Sequence, residues 1–178
     1  PFCGSGTIPI EAALIGQNIA PGFNRDFASS DWDFIGSQVW EKALDEAEQM
    51  ANYDQPLNIV GSDIDHKMIE VSKQNALEAG LSDLIDFKQM QVADLSIRED
   101  SGYLVGNPPY GERLKDSDYV KFLYKTLGEV MSKHPTWSVY IMTSFKEFES
   151  LYGRKASKRR KLFNGFIETQ YYQFFGRK

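Results

Sequence analysis

Short apolar runs alternate with stretches of helical periodicity through the middle of the chain, and this alternation narrows the possible folds most. Leu57–Asp63 is expected to form a buried strand, and apolar spacing over 67–79 predicts a helix that buries Met68, Val71 and Ser72. Further elements are expected as strands at 85–91, 103–106 and 138–143 and a helix at 119–133. Such alternation predicts an α/β fold with a parallel sheet covered on both faces.

The two ends of the chain add other elements. A short helix is expected over Thr7–Gly16, a polar loop over 17–35, and a second helix over Gly36–Asn52. One face of that second helix is apolar and is expected to be buried, through Val39, Trp40, Ala43, Leu44, Ala47 and Met50.

The sheet is expected to finish with an antiparallel pair. Two β-like runs, 158–163 and 167–174, are joined around Asn164-Gly165. An Asn-Gly pair between two such runs is a strong signal for a tight hairpin.

Length and composition exclude several classes of protein. The 178 residues fit one domain, and no apolar run approaches the roughly 18 residues of a membrane-spanning helix. One cysteine cannot form an internal disulfide, which fits a reducing compartment, and we expect a cytoplasmic protein. One cysteine and two histidines are too few for a structural zinc site; composition leaves a metal held by carboxylates open, and we expect no metal.

Charge is unevenly distributed along the chain. The net charge is −5, yet residues 154–178 carry 8 Lys and Arg against one acidic residue. One interpretation is a local contact with a polyanion through Lys158, Arg159, Arg160 and Lys161. The other is that these side chains keep an exposed edge strand soluble and unpaired. The sequence leaves both open.

The segment Cys3–Thr7 is a glycine-containing turn that runs straight into the first helix. Its two glycines let a ligand approach the backbone, and the helix amino terminus offers free amide donors. The third glycine of a dinucleotide-binding fingerprint would fall at Pro9, which argues against a dehydrogenase. No Gly-Lys-Ser/Thr follows, which argues against a phosphate-binding loop.

Two further strand ends carry polar residues, and the carboxyl ends of strands are where α/β sheets place ligands. Asp63 can accept hydrogen bonds from vicinal ribose hydroxyls, whereas Asp65 fits better as a helix cap. After the strand at 103–106, two prolines in Asn107–Tyr110 fix an extended backbone that can aim the Asn107 amide oxygen and the Pro108 carbonyl at one place.

Together these motifs resemble the Rossmann-like methyltransferases that transfer a methyl group from S-adenosylmethionine to exocyclic amines. More narrowly, Pro1–Thr7, Asn107–Leu114 and Lys161–Gly165 resemble the large-subunit ribosomal RNA guanine-N2 methyltransferases, which often carry the label of N6-adenine-specific DNA methylases. The resemblance implies a three-layer sandwich whose first strand is missing from this chain. It also implies an RNA-binding THUMP domain upstream, so residues 1–178 would be the catalytic domain of a longer polypeptide.

The resemblance also implies site residues. Those implied to bind S-adenosylmethionine are Phe2, Cys3, Gly4, Ser5, Gly6, Thr7, Asp63, Ile64, Asp94 and Asn107. Those implied to act on the amine are Asn107, Pro108, Pro109 and Tyr110, with Tyr110 stacking on the base. Cys3 is expected to be a packed residue and not a nucleophile, because cytosine methyltransferases carry their cysteine in the loop that here reads Pro108–Tyr110.

Ribosomal RNA is the substrate that the resemblance favours. Adenine N6 in DNA is the alternative enzyme reading, because the Asn-Pro-Pro-Tyr motif suits both amines. A catalytically idle RNA-binding module is the alternative outside the enzymes.

Overall fold

The computed structural model describes residues 1–110 and 117–177. Its helices and strands follow the predicted order closely. The helices are α1 (Thr7–Gly16), α2 (Ser37–Met50), α3 (His66–Glu78), α4 (Ser117–Ser132) and α5 (Phe148–Tyr152). The strands are β1 (Ile59–Asp63), β2 (Ile85–Gln89), β3 (Tyr103–Gly106), β4 (Ser138–Thr143), β5 (Lys158–Asn164) and β6 (Ile167–Phe174).

The strands form two sheets within the described residues. β1 and β2 pair in parallel, and the second sheet has the order β3-β4-β6-β5. In that sheet β3 and β4 are parallel, whereas β6 is antiparallel to both β4 and β5. The predicted α/β class and the antiparallel ending are therefore confirmed.

Residues 1–3 lie between the facing edges of the two sheets. The Cys3 amide donates to the Ser62 carbonyl at 2.9 Å, next to the end of β1. On the other side, a Cβ placed on Gly106 would lie 3.3 Å from the Phe2 ring and 3.4 Å from the Pro1 carbonyl oxygen. The strand expected ahead of Pro1 stays a prediction.

Each sheet has its own apolar core. The second sheet packs against α4 and α5 through large buried side chains, among them Tyr124, Leu127, Ile141, Phe148 and Phe174. The smaller core lies between the first sheet and helices α1 and α3, with Ala13, Ile69, Ala76, Leu81, Ile85 and Phe87 buried. Together they fix the carboxyl ends of β1, β2 and β3, where the predicted site residues lie.

Two burial predictions are wrong, one of them in part. In α3 the inward face consists of Ile69, Ser72 and Ala76, a spacing of three and four residues, while Val71 is 41% exposed and Met68 only partly buried. Burial of Ser72 is therefore confirmed, whereas Met68 and Val71 were wrongly expected in the inward face. In α2 no residue is buried: Val39 and Leu44 are exposed, and Ala43, Ala47 and Met50 line an open cavity of about 410 Å³ against α1.

Candidate functional site

The glycine turn is shaped by close packing at Gly6. Gly6 has φ of +86°, and a Cβ there would lie 2.8 Å from the Ser72 Cβ in α3 and 3.2 Å from the Phe87 ring in β2. Because both the backbone angle and the space disfavour a side chain, only glycine fits. The Ser5 carbonyl accepts a hydrogen bond from the Asn75 side chain at 2.8 Å, which ties the turn to α3.

Gly4 occupies a different environment. Its φ is +53°, and nothing lies within 4 Å of the position where a Cβ would stand. The turn therefore leaves open space beside its backbone. The first-turn amides of α1, which follows directly, have no capping side chain. A polar ligand can approach at this point.

Asp63 joins the glycine turn to the end of β1. One carboxylate oxygen accepts from the Gly4 amide at 3.0 Å, and the other accepts from the Asp65 amide at 3.0 Å. These bonds fix the carboxylate and leave a lone pair on each oxygen for a ligand. Asp65 accepts from the Lys67 amide at 2.9 Å, so its predicted role as the α3 cap is confirmed.

Ile64 and Asp94 lie at the same edge of the first sheet. Ile64 follows β1 and is 55% exposed, and its carbonyl accepts from the Gln89 side chain at 3.2 Å. Asp94 is exposed in a short 3-10 helix, Val92–Asp94, that follows β2, and it accepts from the Gln91 side chain at 2.9 Å.

The electrostatics around Cys3 favour a protonated thiol. Burial raises the pKa of the Cys3 thiol, and the neighbouring Asp63 carboxylate raises it further. Cys3 also packs against the smaller apolar core. The prediction that Cys3 is a packed residue is confirmed, and a thiolate nucleophile is disfavoured.

The Asn107–Tyr110 segment continues directly from β3. Pro108 is buried, Asn107 and Tyr110 are partly buried, and Pro109 is exposed. The Tyr110 hydroxyl donates to the Asn107 amide oxygen at 2.5 Å, so the ends of the motif are held together. Glu112 and Arg113, which follow in the sequence motif, lie outside the described residues.

Tyr124, a buried tyrosine on α4, fixes the Asn107–Tyr110 segment through a hydrogen bond. The Tyr124 hydroxyl donates to the Pro109 carbonyl at 2.8 Å and lies 2.8 Å from the Thr143 hydroxyl at the end of β4. Because the Tyr124 proton is used on Pro109, Thr143 donates to Tyr124. Burial raises the pKa of Tyr124 to about 12, so its hydroxyl remains protonated at neutral pH.

Sequence reasoning missed Tyr124. It stands among the apolar residues that define the buried face of α4, and a tyrosine in such a position needs a hydrogen-bond partner for its hydroxyl. That requirement is the signal that could have identified it. Which carbonyl it meets depends on the fold.

The glycine turn, the end of β1 and the Asn107–Tyr110 segment meet at one edge of the molecule. Phe2 lies beside Gly106, the residue before the motif, and Gly4 is bonded to Asp63. A group held on the glycine turn would therefore face the Asn107 side.

The β5–β6 hairpin reaches the same edge. The Asn164 side chain donates to the Tyr110 hydroxyl at 3.3 Å. The turn residues are Gly165 and Phe166, because Asn164 still pairs with Ile167, so the turn lies one residue beyond the predicted Asn164-Gly165. Gly165 has φ of +60°, which suits the first central position of a two-residue turn.

The basic residues of the hairpin are exposed along β5. Arg159 pairs with Glu149 at 3.5 Å, and Lys161 pairs with Glu168 at 2.7 Å. Lys158 and Arg160 make no ion pair with any residue that the structure describes. Two of the four predicted nucleic-acid contacts thus present an uncompensated charge.

Neither a metal-binding cluster nor a membrane-spanning helix occurs in the described part of the chain. Residues 1–110 and 117–177 contain no group of three or more His, Cys, Asp or Glu side chains placed to hold a metal ion. None of their helices combines the length and the apolar character needed to cross a bilayer.

Comparison with known proteins places this architecture in a family. Residues 1–173 match the family model described as "RMKL-like, methyltransferase domain". The chain is 62% identical, over 177 residues, to "Putative RNA methyltransferase YpsC" of Bacillus subtilis, covering 99% of this chain and 46% of that protein. It is 39% identical to "Ribosomal RNA large subunit methyltransferase K/L" of Shewanella baltica, covering 96% of this chain and 25% of that protein. The chain thus spans less than half the length of these relatives.

Two solved structures have nearly the same fold. One, from Listeria monocytogenes, is described as a "predicted N6-adenine-specific DNA methylase"; it shares 59% identity at a TM-score of 0.94, covering 99% of this chain and 46% of that one. The other is "SMU.472, a putative methyltransferase complexed with SAH", with 47% identity and a TM-score of 0.97, covering 100% of this chain and 47% of that one. The chain belongs to the family of RMKL-like methyltransferase domains.

Proposed function

We propose that this chain is the catalytic domain of an S-adenosylmethionine-dependent RNA methyltransferase that modifies an exocyclic amine, with N2 of guanine in 23S ribosomal RNA as the favoured target. One observation carries the proposal: the glycine turn, which is hydrogen-bonded to Asp63, lies at the same edge of the molecule as the Asn107–Tyr110 segment. An RNA substrate is supported by the names of two relatives. Ribosomal RNA as the substrate also implies a cytoplasmic protein.

The glycine turn Cys3–Thr7, Asp63 and Asp94 fit the cofactor. The open space beside Gly4 and the uncapped first turn of α1 suit a polar chain lying over the turn. The free lone pairs of Asp63 suit vicinal ribose hydroxyls, and Asp94 would accept from an adenine amine. A solved relative holds SAH, the demethylated form of this cofactor.

The Asn107–Tyr110 segment fits an amine. Bound S-adenosylmethionine supplies an electrophilic methyl group on a sulfonium, so the protein must mainly prepare the nitrogen. Asn107 and the Pro108 carbonyl would accept the two amine hydrogens, drawing the nitrogen lone pair out of conjugation and stabilising positive charge as the C–N bond forms. The Tyr110 hydroxyl uses one lone pair of the Asn107 oxygen, and the second remains for the amine.

The substrate base must leave its stack to reach these groups. The amine of a paired base is engaged in its pair and is not free to donate both hydrogens to Asn107 and Pro108, so the target would be unpaired or flipped, and the Tyr110 ring would stack on it. Lys158 and Arg160 would hold the flanking phosphates.

A strand running into Pro1 and an RNA-binding domain before it belong to the same proposal. Residues 1–3 lie between the edges of β1 and β3, where such a strand would enter.

A DNA adenine-N6 methyltransferase is the second candidate. The Asn-Pro-Pro-Tyr motif suits adenine N6 as well as guanine N2, and the Listeria relative is described as an adenine-specific DNA methylase. The order of the motifs weighs against it, because DNA enzymes with a similar glycine turn often place that turn after the amine motif.

The experiment offers S-adenosylmethionine with a labelled methyl group to ribosomal RNA, transfer RNA and DNA and then identifies the modified nucleoside. The proposal predicts N2-methylguanine in ribosomal RNA. N6-methyladenine in DNA would support the second candidate. Cofactor binding without transfer to any of the three would indicate an idle RNA-binding module.

A further inference from the structure

The tip of the β5–β6 hairpin exposes an unusual amount of apolar surface. Phe166, in the turn, is fully exposed, and Phe163 is 63% exposed. Ile167, at the start of β6, is 36% exposed. These three side chains, which we call the tip cluster, contribute little burial to the fold of the described residues. Phe163 and Ile167 lie on opposite faces of the hairpin with Phe166 in the turn between them, and exposed apolar side chains grouped at a tip in this way commonly mark a contact surface.

The tip cluster lies beside the Asn107–Tyr110 segment. Thr143, the last residue of β4, pairs with Gln170, so β6 begins three residues beyond the carboxyl end of β4. Asn164 donates to the Tyr110 hydroxyl. Phe166 is two residues from Asn164, so the Cα atoms of Phe166 and Asn164 lie within about 7 Å of each other.

Positive charge continues from the tip cluster along the same strand. The Lys161 ammonium lies 5.4 Å from the centre of the Phe163 ring. Farther along β5, Arg160 and Lys158 are exposed without an ion pair to any described residue; they lie on the face of the strand that also carries Asn164, opposite Lys161 and Phe163. A hairpin that exposes both aromatic rings and basic side chains offers the two kinds of contact that bind single-stranded nucleic acid, stacking and phosphate contacts.

We propose that Phe166 stacks on the RNA base next to the one extruded toward Asn107, and so holds the strand open while the target occupies the site. This inference rests on the proposed function and extends it by assigning the tip cluster to the RNA. Extruding a base leaves its neighbour without a stacking partner. An apolar side chain that stacks on this neighbour lowers the free-energy cost of extrusion. Tyr110 stacks on the target, and Phe166 stacks on its neighbour.

The test compares Phe166→Ala, Phe166→Trp and the wild type in the full-length protein. The matched control is Phe175→Ala, an exposed phenylalanine just beyond the other end of β6. Two quantities are measured: affinity for short single-stranded RNA, and kcat/KM for methylation of ribosomal RNA. Cofactor affinity and thermal melting check that each variant is folded.

Phe166→Ala is expected to weaken RNA affinity and kcat/KM by roughly 5- to 100-fold, with cofactor affinity unchanged. Phe166→Trp should restore both quantities because it restores a stacking face, and Phe175→Ala should match the wild type. In RNA whose base next to the target is replaced by an abasic site, Phe166→Ala should cause no further loss, because the stacking partner is already absent.

Equal RNA affinity for Phe166→Ala and the wild type would overturn the inference, as would a wild type that does not bind single-stranded RNA. Failure of the proposed function looks different: methyl transfer would be absent from every wild-type reaction. The binding comparison would still decide the role of Phe166.

Discussion

At the scale of single residues, Asp63 fixes the glycine turn by accepting from the Gly4 amide. In the proposed function the same carboxylate would also accept ribose hydroxyls. One aspartate would then link the shape of the turn to cofactor recognition.

Asp63→Asn should therefore weaken binding of S-adenosylmethionine by about 10- to 100-fold, the range for losing a hydrogen bond to a charged group. The amide nitrogen would meet a backbone amide donor and could not accept from a hydroxyl. Isothermal titration calorimetry measures the change. The control is Asp65→Asn, since asparagine caps a helix as well as aspartate does. Equal cofactor affinity in the wild type and Asp63→Asn would remove Asp63 from the binding site.

Tyr124 acts as a positioning residue. Tyr124→Phe leaves the Pro109 carbonyl and the Thr143 hydroxyl without their shared partner, so the Asn107–Tyr110 segment should lose its fixed position. We expect kcat to fall by about tenfold, with cofactor affinity unchanged. That decrease corresponds to about 1.4 kcal/mol, within the range for an unpaired buried polar group.

Tyr152→Phe serves as the matched control because Tyr152 is buried in the same core but lies in α5. Single-turnover kinetics and thermal melting are measured for both variants. A Tyr124→Phe enzyme with lower stability but the wild-type kcat would assign Tyr124 to folding alone.

At the scale of elements, apolar periodicity predicted which segments form helices and strands, but not what covers them. The pattern in α2 identified a helix with an apolar face, and in the structure no residue of that helix is buried and only part of the face lines an open cavity. Periodicity reports that a face is apolar, whereas burial depends on which other element packs there. The turn of the hairpin shifted by one residue for a similar reason: strand pairing carries Asn164 into β5.

The packing of α4 on α5 depends on Gly128. A Cβ at this position would lie 2.1 Å from the Tyr152 carbonyl oxygen, which is part of the backbone. Gly128→Ala gains about 1 kcal/mol in helix propensity, but the two helices must move apart. Overpacking typically costs about 1–3 kcal/mol and can cost more against a rigid backbone, so we expect a net decrease of about 1–2 kcal/mol in the free energy of unfolding.

Urea denaturation measures this decrease. Lys125→Ala, at an exposed position of the same helix, is the control and should change stability by no more than about 0.5 kcal/mol. A Gly128→Ala protein as stable as the wild type or more stable would contradict the close approach of α4 and α5.

At the scale of the whole molecule, acidic and basic residues are unevenly distributed: most of the chain is acidic and its carboxyl-terminal part is basic. Residues 154–178 carry 8 of the 20 Lys and Arg and only one of the 25 acidic residues. In the described structure Arg159 and Lys161 are paired with acids, and Lys158 and Arg160 are not. The latter two should therefore contribute most to phosphate binding.

Removing these two charges tests the choice that the sequence left open. In the Lys158→Ala/Arg160→Ala variant, the slope of log affinity for single-stranded RNA against log salt concentration should become shallower by about 1.4, which is about 0.7 for each phosphate that is no longer neutralised. Lys73→Ala, which removes an exposed lysine paired with Glu70 on α3, is the control. An unchanged slope would favour the other interpretation, in which these charges only protect an edge strand.

In the proposed function the glycine turn and Asp63 bind the cofactor, and Asn107 activates the amine. The rate of a single round of methyl transfer to ribosomal RNA by Asn107→Ala, with cofactor and RNA saturating, tests it most directly. We expect a rate lower by roughly 10²–10³, the usual cost of removing one preorganised electrostatic interaction, with cofactor affinity nearly unchanged. A wild-type rate from this variant would contradict it.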